Sequence, residues 1–323
     1  MTWGDGMSFS LATKNELARI PVTDNLYMLA ELAALVRMCG TIQISGLNSI
    51  NIRFTTENAA IARRVFTFLK ELYEGEIEVV VKRTRQLKKN NNYLITIKDT
   101  DISKKLLIDV GFINGGDNYD IFNVQYRIGE QILNDRMAKR AYLRGAFLGG
   151  GSISNPEKAY HLEFVTNNQE HSDDLSSIIN SFDLNSKVVL RKSNYVVYLK
   201  EGSQIVDLLN IMGAHQALLK FEDIRVLKDV RNNINRLVNC ETANLNKTID
   251  ASIRQVAHIE RIRDHMGLDK LPPKLREVAE IRLNYPEATL KEIGQMLDPP
   301  VGKSGVNHRF RKLEEISNDL KGV

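Results

Sequence analysis

Apolar residues recur at helical spacing in the first third of the chain, and short alternating runs follow each helical stretch. Leu26, Leu29, Ala30, Ala33, Ala34 and Val36 fall on more than one face of a helix that begins near Thr23 or Asp24 and stops at Gly40. Such a distribution predicts a helix buried between other elements. Upstream, Thr13 and Glu16 have the T-x-x-E spacing of a capping box, which predicts a helix start there. Residues 41–56, rich in Ile, read as two strands around a turn at Gly46 to Ser49. Ile61, Val65, Phe68, Leu69 and Leu72 restore the helical period between Glu57 and Tyr73. Glu76 to Arg85 and Tyr93 to Lys98 predict a second hairpin, and Thr100 is placed to cap a helix reaching Val110.

The same order begins again near Arg136. A helix through Ala141, Ala146, Phe147 and Leu148 ends at Gly149 to Gly151, and strands are predicted at Ser152 to Ser154 and Tyr160 to Val165. Residues 168–182 are helical, Lys187 to Arg191 and Tyr195 to Lys200 alternate as a hairpin, and Gln204 to Met212 closes the second copy with a helix. An offset of 111 places Ala30 on Ala141, Leu32 on Leu143, Gly40 on Gly151 and Ile42 on Ile153. Small residues stand at i, i+4, i+8 in Ala141, Gly145 and Gly149, and at i, i+4 in Ala30 and Ala34, so two helix backbones can approach closely. Taken alone, Gly149 to Gly151 would equally serve to end a helix in the left-handed conformation.

Beyond Lys220 only helical patterns remain. Ile224, Leu227, Ile234, Leu237 and Val238 predict one amphipathic helix, and Ile253, Val256, Ile259, Ile262 and Met266 another. Leu271, Pro272 and Pro273 break the pattern, with proline where a helix can start. Leu275, Val278, Ala279 and Ile281 to Leu283 give one further helix, and Thr289 with Glu292 forms a capping box before Leu290, Ile293 and Leu297. Asp298 to Gly302 is a turn, after which Val306, Phe310 and Leu313 bury one side of a last helix. Gly294 leaves room for that helix to cross, and the arrangement is a helix-turn-helix.

At 323 residues, 43% hydrophobic and 26% charged, the chain has the composition of two or three ordinary domains with their own cores. Two cysteines, Cys39 and Cys240, without CxxC or His/Cys clustering, exclude a disulfide framework or zinc site and point to a reducing, cytosolic compartment. The sequence shows neither a signal peptide nor a membrane span, P-loop, dinucleotide fingerprint or local Ser/His/Asp grouping, so no cofactor, membrane or small-molecule substrate is expected. A formal charge of +4 is mild, but it is unevenly placed. Lys303, Ser304, Asn307, His308, Arg309, Arg311 and Lys312 follow one another on the last helix without an acid. Lys and Arg neutralise phosphates, and Arg or Asn can pair with base edges in the major groove, so double-stranded DNA is the expected partner. Thr289 and Lys291, at the start of the preceding helix, join the candidate DNA-binding set; a solvated basic helix is the plainer alternative. Lys82, Arg83, Arg85, Lys88 and Lys89 form a second, weaker candidate patch, which edge protection of a hairpin explains as well.

Residues 32–40 (LAALVRMCG) and 143–151 (LRGAFLGGG), each a helix ending in Gly and followed by Thr-Ile or Ser-Ile, resemble the LAGLIDADG homing endonucleases. That resemblance implies two helices at a central interface and paired sheets forming a saddle on DNA. It also implies a metal-holding acid just before the final Gly of each helix, and here those positions are Cys39 and Gly150. Neither is the hard oxygen ligand that Mg²⁺ requires. Asp24 and Glu31 lie toward the opposite end of the helix and are poorly placed to substitute. Together with AYLRGAFLGGGSISNPEKAYHLEF, RNNINRLVNCETANLNKT, LPPKLREVAEIRLNYPEATLKEIGQML and PPVGKSGVNHRFRKL, the pattern resembles the WhiA family of bacterial transcription regulators from Met7 to Lys321.

The family resemblance implies a regulator of sporulation in actinomycetes and of cell division and chromosome segregation in other Gram-positive bacteria. It also implies a C-terminal unit similar to the promoter-reading region four of sigma factors. The expected fold is α+β: two LAGLIDADG-like αββαββα half-domains (1–125 and 126–220), an all-α connector (221–270) and a helix-turn-helix domain (271–323). The expected function is non-catalytic promoter binding in the cytoplasm, in association with the nucleoid. A metal-dependent endonuclease using other ligands is the competing expectation. A third makes the endonuclease-like part a docking platform for a regulatory protein, with the Asn/Arg face of residues 231–247 as contact surface or as an internal domain interface.

Overall fold

The repeat seen in the sequence is a repeat of structure. A computed structural model describes residues 7–45, 49–83, 91–114 and 124–320, and the contacts divide the chain into Met1–Lys228 and Asp229–Val323. In the first unit, α1 (Phe9–Leu17) precedes one αββαββα copy: α2 (Asn25–Cys39), β1 (Gly40–Ser45), β2 (Ser49–Thr56), α3 (Ala59–Leu72), β3 (Ile77–Arg83), β4 (Asn91–Ile97) and α4 (Thr100–Asp109). The second copy comprises α5 (Arg136–Gly150), β5 (Gly151–Ile153), β6 (Leu162–Thr166), α6 (Gln169–Asn180), β7 (Lys187–Arg191), β8 (Asn194–Leu199) and α7 (Gly202–Met212). Each sheet is antiparallel, with orders β1-β2-β4-β3 and β5-β6-β8-β7. The equivalence extends to single pairs: Gly40 faces Phe54 in one sheet as Gly151 faces Phe164 in the other.

Local chemistry explains why the copies match. Asn58 and Asn168 cap α3 and α6 with their side-chain oxygens, and Thr56 and Thr166 accept from the backbone N–H of those same asparagines. Ile50, Ile52 and Phe54 alternate inward along β2, as do Leu162, Phe164 and Thr166 along β6, so one face of each sheet closes on the helices. The shared core runs through α2 and α5, where Ala30, Leu32, Ala33, Ala34, Leu35, Ala141, Leu143, Ala146 and Phe147 are buried.

Helices α2 and α5 meet on their small residues. A methyl group at Gly145 would collide with the Glu31 backbone, and one at Gly149 would stand 2.7 Å from the Met38 Cβ. Close approach, and not a left-handed helix end, is therefore what these glycines supply. Helix α5 runs through Gly150, and Gly151 is extended at φ −83°.

Two buried cation networks tie the copies together. Glu31 of α2, fully buried, accepts from Arg64 of α3 (2.6 and 2.7 Å) and from Arg144 of α5 (2.5 Å). Arg64 also donates to the Ala18 and Ile20 carbonyls, and Arg144 to that of Met212. Glu31 is thus committed to holding α2, α3 and α5 in register. Arg37, a turn and a half further along α2, donates to five backbone carbonyls, those of Ala33, Val110, Gly111, Tyr126 and Arg127, at 3.0–3.2 Å. It thereby pins residues 110, 111, 126 and 127 to α2. Beside it, buried His171 lies between the Tyr142 hydroxyl (2.8 Å) and Thr166 Oγ1 (3.1 Å). Burial first, and the Arg37 charge second, hold His171 down at about 3, in its neutral form.

The structure corrects several local expectations. Thr13 and Glu16 do not form a capping box: Ser8 caps α1, while buried Thr13 donates its hydroxyl to the Phe9 carbonyl. Glu16 instead accepts from the backbone N–H of Gln216 and Ala217, at the start of a distant helix. Asp99, not Thr100, caps α4: it stands just before the first helical residue in extended backbone, where its carboxylate accepts from the N–H groups of Asp101 and Ile102, while Thr100 Oγ1 accepts from Ile50 N–H. The two amphipathic helices expected between residues 224 and 266 are one, α8 (His215–His265), since no glycine or proline interrupts that span. Along α8, Leu227, Ile234, Leu237 and Val238 are exposed. Residues 1–6, the tip of the first hairpin at 46–48, and the second hairpin's candidates Arg85, Lys88 and Lys89 lie outside the described residues.

Candidate nucleic-acid interface

The second unit has a core of its own. Ile259 and Ile262 of α8 pack with Leu275, Val278 and Ala279 of α9 (Pro273–Asn284), Ile293 of α10 (Leu290–Met296), and Val306, Phe310 and Leu313 of α11 (Lys303–Asp319). Pro273 starts α9 at its first position, where the missing N–H costs nothing. The capping box at α10 is present as expected: Thr289 Oγ1 accepts from Glu292 N–H (3.3 Å) and Glu292 returns a carboxylate oxygen to Thr289 N–H (2.7 Å). These backbone and side-chain bonds hold the Glu292 carboxyl below its ordinary value. A side chain at Gly294 would strike the Val301 carbonyl and press on Val306, so only glycine lets the turn and α11 seat on α10. A short capped helix, a turn and a longer helix therefore form the helix-turn-helix.

Burial sorts the basic run on α11. Val306, Phe310, Leu313 and Ser317 face the core. Lys303, Ser304, His308, Arg311 and Lys312 are exposed, as are Thr289 and Lys291 on α10. Asn307 is half-buried and lines, with Arg311, a cleft of about 180 Å³ whose other wall is Arg254, Gln255 and His258 of α8. Arg309 departs from the expectation of a freely presented cation. Its guanidinium turns to α9, 3.4 Å from the Lys274 carbonyl and 3.7 Å from Glu277. The reason is helical geometry, since Arg309 lies on the flank of α11 that faces α9.

The α8 wall was not legible in the sequence. Ser252 donates to the Pro286 carbonyl, Gln255 accepts from Arg282 (3.1 Å), and His258 pairs with Ser317 (3.0 Å), so this part of α8 is fixed against the helix-turn-helix. Arg282 itself is buried, stacks on Phe310 at 5.3 Å, and donates to the Pro286 and Ala288 carbonyls. Among the described residues its hydrogen bonds reach no carboxylate, and burial pulls its pKa down.

In the first unit, the described members of the weaker patch, Lys82 and Arg83, are exposed at the end of β3, an edge strand of its sheet. The ends of α2 and α5 bring Cys39 and Gly150 to the central interface. The Cys39 thiol donates to the Leu35 carbonyl, and burial pushes it up to about 12 despite a nearby Lys14 charge. A side chain at Gly150 would meet Met38 and the Val165 carbonyl.

Similarity to known proteins agrees with this architecture along the whole chain. Family models described as the WhiA N-terminal LAGLIDADG-like domain, the WhiA LAGLIDADG-like domain and the WhiA C-terminal HTH domain match residues 27–113, 139–231 and 234–317. The "Probable cell division protein WhiA" of Alkaliphilus metalliredigens is 58% identical over 316 residues, covering 98% of this chain and 99% of that protein. Its namesake from Thermoanaerobacter pseudethanolicus is 59% identical over 315 residues, 98% of each chain. The crystal structure of full-length DUF199/WhiA from Thermatoga maritima superposes with a TM-score of 0.59 at 25% identity, covering 97% of this chain and 99% of that one. With three consecutive domain models matched and relatives of this identity spanning nearly the entire sequence, the chain belongs to the WhiA family.

Proposed function

We propose that this protein is a DNA-binding transcription regulator that does not cut DNA, and that it holds promoter DNA mainly through its helix-turn-helix. The observation that carries the reading is the surface of α11: Lys303, Ser304, His308, Arg311 and Lys312 are exposed with no acid among them, beside a capped α10 bearing Thr289 and Lys291. Cations there neutralise phosphates, and Asn307 and Arg311 have the donor geometry to read adenine or guanine edges. Arg309 acts through the α9 contact and sets the pose of α11. Lys82 and Arg83, with Arg85, Lys88 and Lys89, form a subsidiary contact.

The endonuclease-like part lacks the chemistry to cut at the two positions where that family resemblance calls for carboxylates. Cys39 keeps its proton at physiological pH, with its pKa pushed up to about 12, and Gly150 has no side chain. The half-domains 1–125 and 126–220 then serve as scaffold or protein-docking surface, joined by 221–270 to the reading domain 271–323. The name of the relatives, "Probable cell division protein WhiA", supports cell division as the process such a regulator would serve. Selection of bound fragments from sheared genomic DNA, followed by incubation of those fragments with the full chain and Mg²⁺ or Mn²⁺, tests both halves of the proposal. The expected result is enrichment of intergenic sequences that stay intact. Recovery of unselected DNA, or nicking abolished by a carboxylate substitution, would overturn it.

A further inference from the structure

The surface of α11 continues across α8. A cleft of about 440 Å³ is lined by Lys247 and Thr248 of α8, Arg282 of α9, Thr289 and Lys291 of α10 and Lys303 of α11, with no acid among its lining residues. It shares Ala251 and Gln255 with the smaller cleft in which Arg254 and His258 face Asn307 and Arg311. Successive turns of α8 thus put Lys247, Ala251, Arg254 and His258 on one face, directed at the reading helix. Lys247 and Arg254 are exposed, and among the described residues neither forms an ion pair. Beneath them the buried Arg282 guanidinium, bonded to neutral oxygens alone, adds positive potential to the cleft floor. Asp250, on the flank of the same face, lines neither cleft. Glu314, which lines the smaller cleft, is the one acid among the described residues that line the two clefts.

We infer that α8 is a second wall of the DNA interface, and that Lys247 and Arg254 hold backbone phosphates alongside the strand track of α11. The inference rests on the DNA-binding reading above and extends it to an element outside the helix-turn-helix. The chemistry suits phosphate better than bases: a lysine and an arginine about two turns apart, exposed and outside any ion pair among the described residues, neutralise charge without fixing a donor pattern. Ala251 between them keeps the floor low enough for a sugar-phosphate strand to approach. The anchors Ser252–Pro286, Gln255–Arg282 and His258–Ser317 hold this wall in place before DNA arrives.

The test is the salt dependence of binding by the full chain, with a selected DNA fragment, from 0.05 to 0.2 M KCl. Each phosphate contact contributes about 0.9 to the slope of log K against log salt. Lys247→Gln with Arg254→Gln should therefore lower the slope by about 1.8 and weaken binding about 60-fold at 0.1 M salt. The loss should be equal for fragments carrying base substitutions, and Lys247→Arg with Arg254→Lys should restore the slope. An unchanged slope in the double Gln variant overturns the inference. So does a cleft that serves free anions: millimolar inorganic phosphate would then raise the melting temperature of the native chain alone, with the DNA slope unaltered. The two readings fail separately. If Asn307→Ala with Arg311→Ala weakens binding while the α8 variant does not, only the α8 wall falls; if neither variant matters, the helix-turn-helix reading falls first.

Discussion

Replacing Glu31 by Gln should destabilise the first unit more than any exposed substitution, and the structure sets the size of the effect. The side chains of Glu31, Arg64 and Arg144 are 0%, 4% and 11% exposed, so the substitution leaves two guanidinium groups out of water without a carboxylate. Removing one partner from a buried ion pair costs about 3–5 kcal/mol, chiefly because the remaining charge is uncompensated. Here Arg64 keeps the carbonyls of Ala18 and Ile20, and Arg144 keeps that of Met212, which argues for the lower end of that range. Against a total stability of about 5–15 kcal/mol, a loss of about 3 is large. In urea unfolding followed by circular dichroism, with a slope of about 3 kcal/mol per molar, the midpoint of the first unit should fall by about 1 M. Adding Arg144→Gln should recover part of the loss, since one orphaned charge is removed with it. A midpoint shift below about 0.3 M, equivalent to about 1 kcal/mol, would refute the assignment of Glu31 as the tie between the copies.

Two other outcomes follow from the same core. His171 is held down at about 3 by burial and then by Arg37, against about 6.5 in the unfolded chain, so the unfolded state takes up the proton first as pH falls. Its contribution is complete above about pH 6.5 and is lost progressively toward pH 3, at about 1.4 kcal/mol per pH unit; His171→Gln should flatten stability against pH in that window, and an unchanged profile would contradict the buried neutral imidazole. Cys39, pushed up to about 12, should resist iodoacetamide at pH 8 in the native protein while exposed Cys240 reacts, as read by mass spectrometry; equal labelling would show that the α2 terminus is open.

What the sequence revealed is what short-range rules govern. The small residues on α2 and α5 sit at regular spacing, so a close helix pair could be expected from Ala30, Ala34, Gly145 and Gly149 before any contact was known. Thr289 and Glu292 are three residues apart and their capping box is local. The Thr13–Glu16 pair has the same spacing and fails because Ser8 lies earlier and takes the cap, which frees Glu16 for a helix 200 positions away. Long-range partnerships of this kind carry no local signal. Glu31 with Arg144, Arg37 with five carbonyls, and Gln255 with Arg282 all depend on how distant elements pack. The Arg309 contact with α9 was hidden for the same reason, and so was the α8 wall with Lys247 and Arg254. Continuity of α8 could have been read from the lack of glycine and proline between residues 215 and 265, a stronger cue than the gap in its apolar pattern.

The central claim is that α11 reads DNA, and the most direct measurement is the affinity of the full chain for a selected promoter fragment at fixed 0.1 M salt, compared with Asn307→Ala combined with Arg311→Ala. Base contacts of this type are worth about 1–3 kcal/mol each, so affinity should fall at least tenfold and preference over unrelated DNA should shrink with it, while the thermal unfolding of the variant stays close to that of the native chain. Equal affinity and equal preference in native chain and variant would contradict the account.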